Sequence, residues 1–278
     1  MRSKGEQRMQ LTNENYFSNE ASKEYLSVSQ YKSFVGSMGI KGCEAMAMAE
    51  IRGEWEREKS TALLVGSYVD AHFEGSLPLF KAQNPEIFTK QGTLKAEYRQ
   101  AEEIINRIER DPYFMKFMSG QKQVIMTGEI GGVPWKIKMD SYIPDICIVD
   151  LKIVKSIRDR FYVKKYGYMD FITNWGYEIQ GAVYQEIVRQ NTGKVLPFYI
   201  AAASKEKVTD IEIIQINDEA LVATLEKIKE HVERVVKIKN GEIEPERCGT
   251  CDYCKFTKVL SRPMLYTDLI LDEVEETE

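Results

Sequence analysis

The stretch Gly128–Lys152, GEIGGVPWKIKMDSYIPDICIVDLK, decides how this chain folds. Its end, Ile146–Ile153, is aliphatic around an Asp and a Lys two positions apart, a pattern that fits a buried strand and not a helix. Side chains alternate across a strand, so Asp150 and Lys152 project from one face about 7 Å apart, while Leu151 turns the other way. A carboxylate and an ammonium then share one small pocket. Val133–Ile143 is the expected partner strand, with Lys136, Lys138, Asp140 and Tyr142 on one face and Trp135, Ile137 and Met139 on the other. Gly131-Gly132 makes the hairpin turn before it, and Pro144 and Asp145 supply the turn after it. A two-residue loop would send the two aspartates to opposite faces; we therefore expect an odd-length loop or a bulge, with Asp140 opposite Ile148.

Composition bounds the rest. With 278 residues, 43% of them hydrophobic, the chain can build one large globular core. We expect one domain over 25–262, a flexible segment over 1–24 and an acidic tail over 263–278. No apolar run approaches the roughly 18 residues of a membrane span, and MRSKGEQRMQLTNEN has no secretory apolar region, so a cytoplasmic protein with no membrane partner is expected. The five cysteines fit a reducing compartment, since three are packed into Cys248, Cys251 and Cys254 in the manner of metal ligands. A net charge of −5 disfavours indiscriminate nucleic-acid binding. Yet Lys152, Lys155, Arg158, Arg160, Lys164 and Lys165 form a local basic strip broken only by Asp159, which suits selective phosphate contacts or, equally, a solvated face.

Around the central strands the periodicity predicts further elements. A short capped helix runs to Phe34, and Cys43 opens an Ala/Met-rich helical segment where, taken alone, it reads as a buried thiol. Ala62–Glu74 is a helix closed by Gly75, with His72 in its last turn. Leu94–Met118 is helical with a break at Asp111-Pro112. Trp175–Gln190 is a helix carrying Gln180 and Tyr184 at i,i+4 on one face. Strands are expected over Leu196–Ala203 and Thr209–Ile216, and a long amphipathic helix over Asp218–Lys239. The order gives an α/β fold, a mixed central sheet flanked by helices.

Two aspartates make a hard oxygen site suited to Mg²⁺ or Mn²⁺, with the Leu151 backbone carbonyl as a further ligand. Such an ion polarises a phosphodiester oxygen and acidifies a bound water. Lys152 then either orients or deprotonates that water, or stabilises charge in the transition state.

Asp150-Leu151-Lys152 after an earlier Asp140 resembles the active-site strand of PD-(D/E)xK nucleases, and hence a restriction-endonuclease-like core. Asp-x-Lys alone is a weak signal. The order of His72 on an early helix, Asp140, Asp150-x-Lys152 and then Gln180-x-x-x-Tyr184 is similar to the RecB-type subgroup. That resemblance implies metal ligation by His72, Asp140 and Asp150, catalysis by Lys152, and positioning of DNA or the site by Gln180 and Tyr184. Glu129 and Lys155 are additional candidates for positioning.

YLSVSQYKSF, GSYVDAHFEG and CGTCDYCKFTK look like phage RecE-like exonucleases, the exodeoxyribonuclease VIII group. This likeness implies 5′ to 3′ resection of duplex DNA from its ends in phage-type recombination, for a single-strand annealing protein. A ring-like homo-oligomer would keep an acidic protein on DNA. A structure-specific endonuclease and a catalytically silent DNA-binding scaffold are the alternatives. Some RecB-type nucleases hold a [4Fe-4S] cluster on one early and three late cysteines, here Cys43 with Cys248, Cys251 and Cys254. The last gap is shorter in this chain, and zinc or unligated thiols stay open. Cys147 reads as a core thiol.

Overall fold

The computed structural model describes residues 8–267; most of the acidic tail expected over 263–278 lies outside them. Helices come first: α1 (Asn19–Glu24), α2 (Val28–Val35), α3 (Glu44–Arg52), α4 (Thr61–Glu74), α5 (Leu77–Gln83), α6 (Gln100–Glu109) and α7 (Pro112–Phe117). The hairpin β1 (Val124–Ile130) and β2 (Val133–Met139) leads into β3 (Ser141–Ile143) and β4 (Cys147–Val154). A small hairpin, β5 (Phe161–Val163) and β6 (Gly167–Met169), precedes α8 (Phe171–Trp175) and α9 (Tyr177–Thr192). Then come β7 (Phe198–Ser204), β8 (Ile211–Ile216), α10 (Asp218–Lys239) and α11 (Asp252–Phe256).

The central sheet has the order β3-β4-β7-β8, with β4 parallel to β7 and the outer pairs antiparallel, the mixed sheet expected. Alternation along β4 and β7 feeds two apolar layers. Ile148, Phe198, Ile200 and Ala202 face one cluster with α9, α10, α2 and the fully buried Trp135, Ile137 and Met139. Cys147, Val149, Leu151, Ala201 and Ala203 face another with α4, α6 and α7. Because both faces of the sheet are covered, these strands read as nearly continuous apolar runs.

The local signals explain the element ends. Ser60 caps α4 by accepting from the Leu63 N–H (3.2 Å), and Gly75 closes it in the left-handed conformation. Asp111 caps α7 with Pro112 at its first position, which is why the helical stretch expected over Leu94–Met118 is split. Gly131 and Gly132 both have positive φ, as a two-residue hairpin turn requires.

The odd loop is present: Pro144, Asp145 and Ile146 join β3 to β4, with Asp145 at φ 65° and the Ile146 N–H donating to the Ile143 carbonyl (3.0 Å). The pairing differs from the expected one in register. Tyr142 lies opposite Ile148 and Ser141 opposite Val149, so extending the ladder sets Asp140 against Asp150 itself. The single strand expected over Val133–Ile143 is also broken at Asp140, where the chain leaves its β1 partner and joins β4.

The N-terminal segment expected to be flexible over 1–24 is packed where it is described. Tyr16 and Ala21 are buried, and the Lys136 ammonium donates to the Tyr16 carbonyl beneath β2. Among the described residues no helix is long and apolar enough to cross a membrane.

Helix α9 reaches the sheet through Gly181, where a Cβ would stand 2.8 Å from both Phe198 Cδ1 and Leu221 Cδ2. Gly181→Val is expected to push α9 off β7 and destabilise the fold by about 1–3 kcal/mol, the usual cost of overpacking. A lowered urea midpoint with an unchanged m-value checks this.

Candidate metal-dependent active site

The break at Asp140 creates the site. With β3 short, the edge of β4 beside Leu151 has no strand partner, and Asp140 fills the gap: its Oδ2 accepts the Leu151 N–H at 2.9 Å. A residue's N–H and C=O point to the same side of a strand, so the Leu151 carbonyl opens on the Asp140 side as well. Asp150, only 2% exposed, projects from the opposite face of β4 to Leu151, toward α9. Its Oδ1 accepts a hydrogen bond from Gln180 Nε2, and its Oδ2 meets Lys152 Nζ in an ion pair. Tyr184, one turn beyond Gln180 and also buried, donates to the Lys138 carbonyl at 3.0 Å, tying α9 to the strand just before Asp140. Gln180 and Tyr184 thus stand where the sequence expected them.

Three other expected residues stand elsewhere. His72 does not face the aspartates: its Nε2 lies 2.8 Å from Glu109 Oε1, and the ring packs edge-on against Phe73. The reason is helical phase, because a residue two positions from the site-facing side of α4 is turned by about 200°. Asp70 is on that side instead. It lines a narrow crevice with Phe73, Glu74, Met118, Asp140 and Leu151. Glu129 also lies outside the site. It sits at the far end of the β1–β2 hairpin, opposite Pro134, exposed and 3.5 Å from Arg8. Lys155 is at the end of β4, its side chain 87% exposed and paired with Asp159 at 3.4 Å. Arg158 of the basic strip is paired too, with Asp210 and Glu212.

Sequence reasoning missed Asp70, Glu74 and Tyr177. A signal for Asp70 existed: it is a carboxylate set among Leu64, Val65, Tyr68, Val69 and Ala71, all buried. Glu74 follows one turn later on the same face. Tyr177 has no such signal; two ammonium groups approach its ring, Lys152 at 5.2 Å and Lys32 at 5.4 Å from the centroid.

The electrostatics are those of a crowded acid site. Burial, with Asp150 nearby, raises the Asp140 carboxyl well above the usual carboxylate range. Burial likewise pushes Asp70 up to about 7, and Asp150 and Glu74 add to that while Lys152 opposes it. For Lys152 burial works downward, but Asp150 and Asp140 outweigh it and hold the ammonium above its ordinary value.

The donor set fits a hard divalent cation. Asp70 Oδ1 is sealed from solvent without a hydrogen-bond partner, and Asp150 Oδ2 has no partner besides Lys152. Orphaned buried oxygens of this kind are rare unless an ion or water satisfies them. Among the described residues only the four cysteines bring three or more ligand atoms within 4.8 Å of one another. The oxygens of Asp70, Asp140 and Asp150 do not come that close together, so holding one ion requires their side chains to turn toward it.

A carboxylate-rich edge of a mixed sheet, with a lysine two residues after the central aspartate, defines the PD-(D/E)xK class of fold and site. The chain belongs to the family described as a PDDEXK-like domain of unknown function (DUF3799), whose model matches residues 27–257. It is similar to a candidate exonuclease from Eubacterium rectale of known crystal structure. The two are 60% identical, with a TM-score of 0.92 over 94% of this chain and 98% of that one. The structure of SSO0001 aligns at 13% identity with a TM-score of 0.29, over 78% of this chain and 93% of its own. None of the curated proteins compared with the chain matches it.

Removing the orphaned charge separates stability from ion binding. Asp70→Asn is expected to stabilise the metal-free protein by roughly 1–2 kcal/mol, since it relieves an unsatisfied buried carboxylate. It should at the same time shrink the rise in Tm that Mg²⁺ or Mn²⁺ gives the parent chain. Thermal melts with and without the ion check both halves.

Proposed function

We propose that this protein is a metal-dependent deoxyribonuclease that hydrolyses DNA phosphodiester bonds, acting as an exonuclease on linear duplex DNA. The observation that carries the reading is the meeting of Asp140 and the Asp150–Lys152 ion pair with the orphaned Asp70 at one sheet edge. Family membership supports a nuclease, and the candidate exonuclease from Eubacterium rectale supports the exonuclease mode. The 5′ to 3′ direction, a role in phage-type recombination and delivery of single strands to an annealing protein follow the RecE-like resemblance.

Asp70, Asp140, Asp150 and the Leu151 carbonyl would hold Mg²⁺ or Mn²⁺. Such an ion polarises a phosphoryl oxygen and lowers the pKa of a water so that hydroxide is available near neutral pH. Lys152, paired with Asp150, places a positive charge against the oxygens that gain negative charge as the bond breaks. Gln180 holds Asp150 in its rotamer, and Tyr184 fixes α9 to the backbone before Asp140. These two contacts keep the acids in register while substrate exchanges.

The β5–β6 hairpin is the part suited to the nucleic acid. It follows β4 directly and is rooted by Phe161, which packs on the core and meets Trp175 edge-on at 6.4 Å. Tyr162, Tyr166 and Tyr168 stand exposed on it, Tyr162 and Tyr168 as a ring pair 5.3 Å apart. Arg160, Lys164 and Lys165 lie alongside in sequence. Exposed rings interleaved with cations bind unpaired nucleotides by stacking and charge.

Asp150→Asn and Lys152→Ala should each lower degradation of linear duplex DNA by about 100-fold or more. His72→Ala should stay within about 3-fold of the parent, since its partner is Glu109 and a surface change of this kind costs under about 0.5 kcal/mol. Full activity in both of the first two variants, correctly folded, would defeat the nuclease reading. Linear DNA should be degraded and a covalently closed circle left intact; cutting of the circle would overturn the exonuclease mode.

Truncating the ring pair, Tyr162→Ala with Tyr168→Ala, should raise KM by on the order of tenfold and leave kcat nearly unchanged, as expected for lost base stacking. Steady-state kinetics on a duplex with a single-stranded end checks it.

A further inference from the structure

Four free thiols from opposite ends of the chain meet away from the carboxylates. Cys43 is the N-cap of α3, and its Sγ accepts the Met46 N–H at 3.5 Å. Cys248, Cys251 and Cys254 lie in the segment after α10, where Cys251 caps α11. In that loop the Cys251 N–H donates to Cys248 Sγ at 3.3 Å, and the Cys254 N–H donates to Cys251 Sγ at 3.4 Å. Backbone N–H groups aimed at sulfur favour thiolates, the form that ligates metal.

The spacing of the sulfurs tells which metal fits. Cys43 Sγ is 3.6 Å from Cys254 Sγ, Cys248 Sγ is 3.9 Å from Cys254 Sγ, and all four lie within 4.8 Å of one another. Four thiolates about 2.3 Å from one tetrahedral ion stand about 3.8 Å apart. A [4Fe-4S] cluster is different, because each thiolate binds a separate iron at a separate corner, and the whole inorganic core lies between the sulfurs. The observed spacing leaves no room for that core. The iron–sulfur expectation that came with the RecB-type resemblance therefore does not fit these residues.

The surroundings show what the ion does. Buried apolar support is slight here: among the described residues Cys43, Ala45 and Cys254 form the cluster, with partly buried Met46, Cys248, Cys251 and Tyr253 around it. Other contacts point the same way across the junction. Arg234 pairs with both Glu44 and Glu246, the Ala45 N–H donates to the Glu246 carbonyl at 3.0 Å, and Trp55 packs on Tyr253 and Phe256. We infer that Cys43, Cys248, Cys251 and Cys254 form a closed, mononuclear tetrathiolate site for zinc, which clasps the segment after α10 onto α3 and takes no part in the cleavage chemistry.

Metal analysis of the full chain, purified without oxygen or added metal, tests this independently of any nuclease activity. The expected result is one zinc per chain, no acid-labile sulfide and a colourless protein. Stoichiometric iron, with or without sulfide, or a brown protein with visible absorption, would overturn it. So would thiols that carry no metal. Cys251→Ser should then lose the zinc and lower Tm while Mg²⁺ binding at the carboxylates persists. If that variant does not fold, removing zinc from the parent chain with a chelator supplies the second arm: a fall in Tm reversed by zinc alone is expected, and an unchanged Tm would contradict the clasp.

Discussion

The structure depends on a costly constraint, the register between β3 and β4 that sets Asp140 against Asp150 at the edge of a buried sheet. Two carboxylates so placed repel each other, and both lose solvation. The chain offsets this with three fixed partners: the Lys152 ammonium, the Gln180 amide and the Leu151 N–H. Those partners do not suffice, since Asp140 is driven toward its protonated form and Asp70 keeps an oxygen with no partner at all. A divalent cation, as proposed, would complete the balance, which is why the arrangement reads as a site prepared for one and not as a structural ion pair.

The cost is carried by the two apolar layers. Trp135, Ile137 and Met139 fix β2 from below, so the chain leaves β2 at Asp140 from a rigid base. On the same side α9 is pinned by Gly181 against Phe198, and this sets the height at which Gln180 meets Asp150. On the other side α4 is held by Leu64, Val65, Tyr68 and Val69, and this brings Asp70 to the crevice. The site is thus assembled from elements on both faces of the sheet, each located by packing that has no chemistry of its own.

Much of this was legible in the residues. Alternation around Asp150 and Lys152, the Gly131-Gly132 turn, the odd loop and the helix carrying Gln180 and Tyr184 all express local periodicities of two or 3.6. The register was not legible, because the same odd loop allows Asp140 to face either Ile148 or Asp150, and the choice depends on where β2 ends. The choice of His72 over Asp70 failed for a similar reason. Helical phase relative to the sheet is set by the packing of α4 on α6 and β4, and the apolar residues around Asp70 are the one hint in the sequence that its side, not that of His72, faces inward. The packing of Tyr16 under β2 is a long-range contact with no local sign, so a polar N-terminal stretch looked loose. In the cysteine site, the grouping of Cys43 with Cys248, Cys251 and Cys254 was visible from spacing, but the distances between their sulfurs, on which the zinc inference rests, were not.

The central claim is that Asp70, Asp140 and Asp150 hold one divalent ion while His72 does not. A crystal of this protein soaked in Mn²⁺ and measured at the manganese absorption edge tests it in one experiment. The account predicts a single anomalous peak in the crevice between α4 and the edge of β4, about 2.1–2.2 Å from carboxylate oxygens of Asp140, Asp150 and Asp70. An ion bound by His72 and Glu109, or no ion at the three aspartates at saturating Mn²⁺, would contradict it.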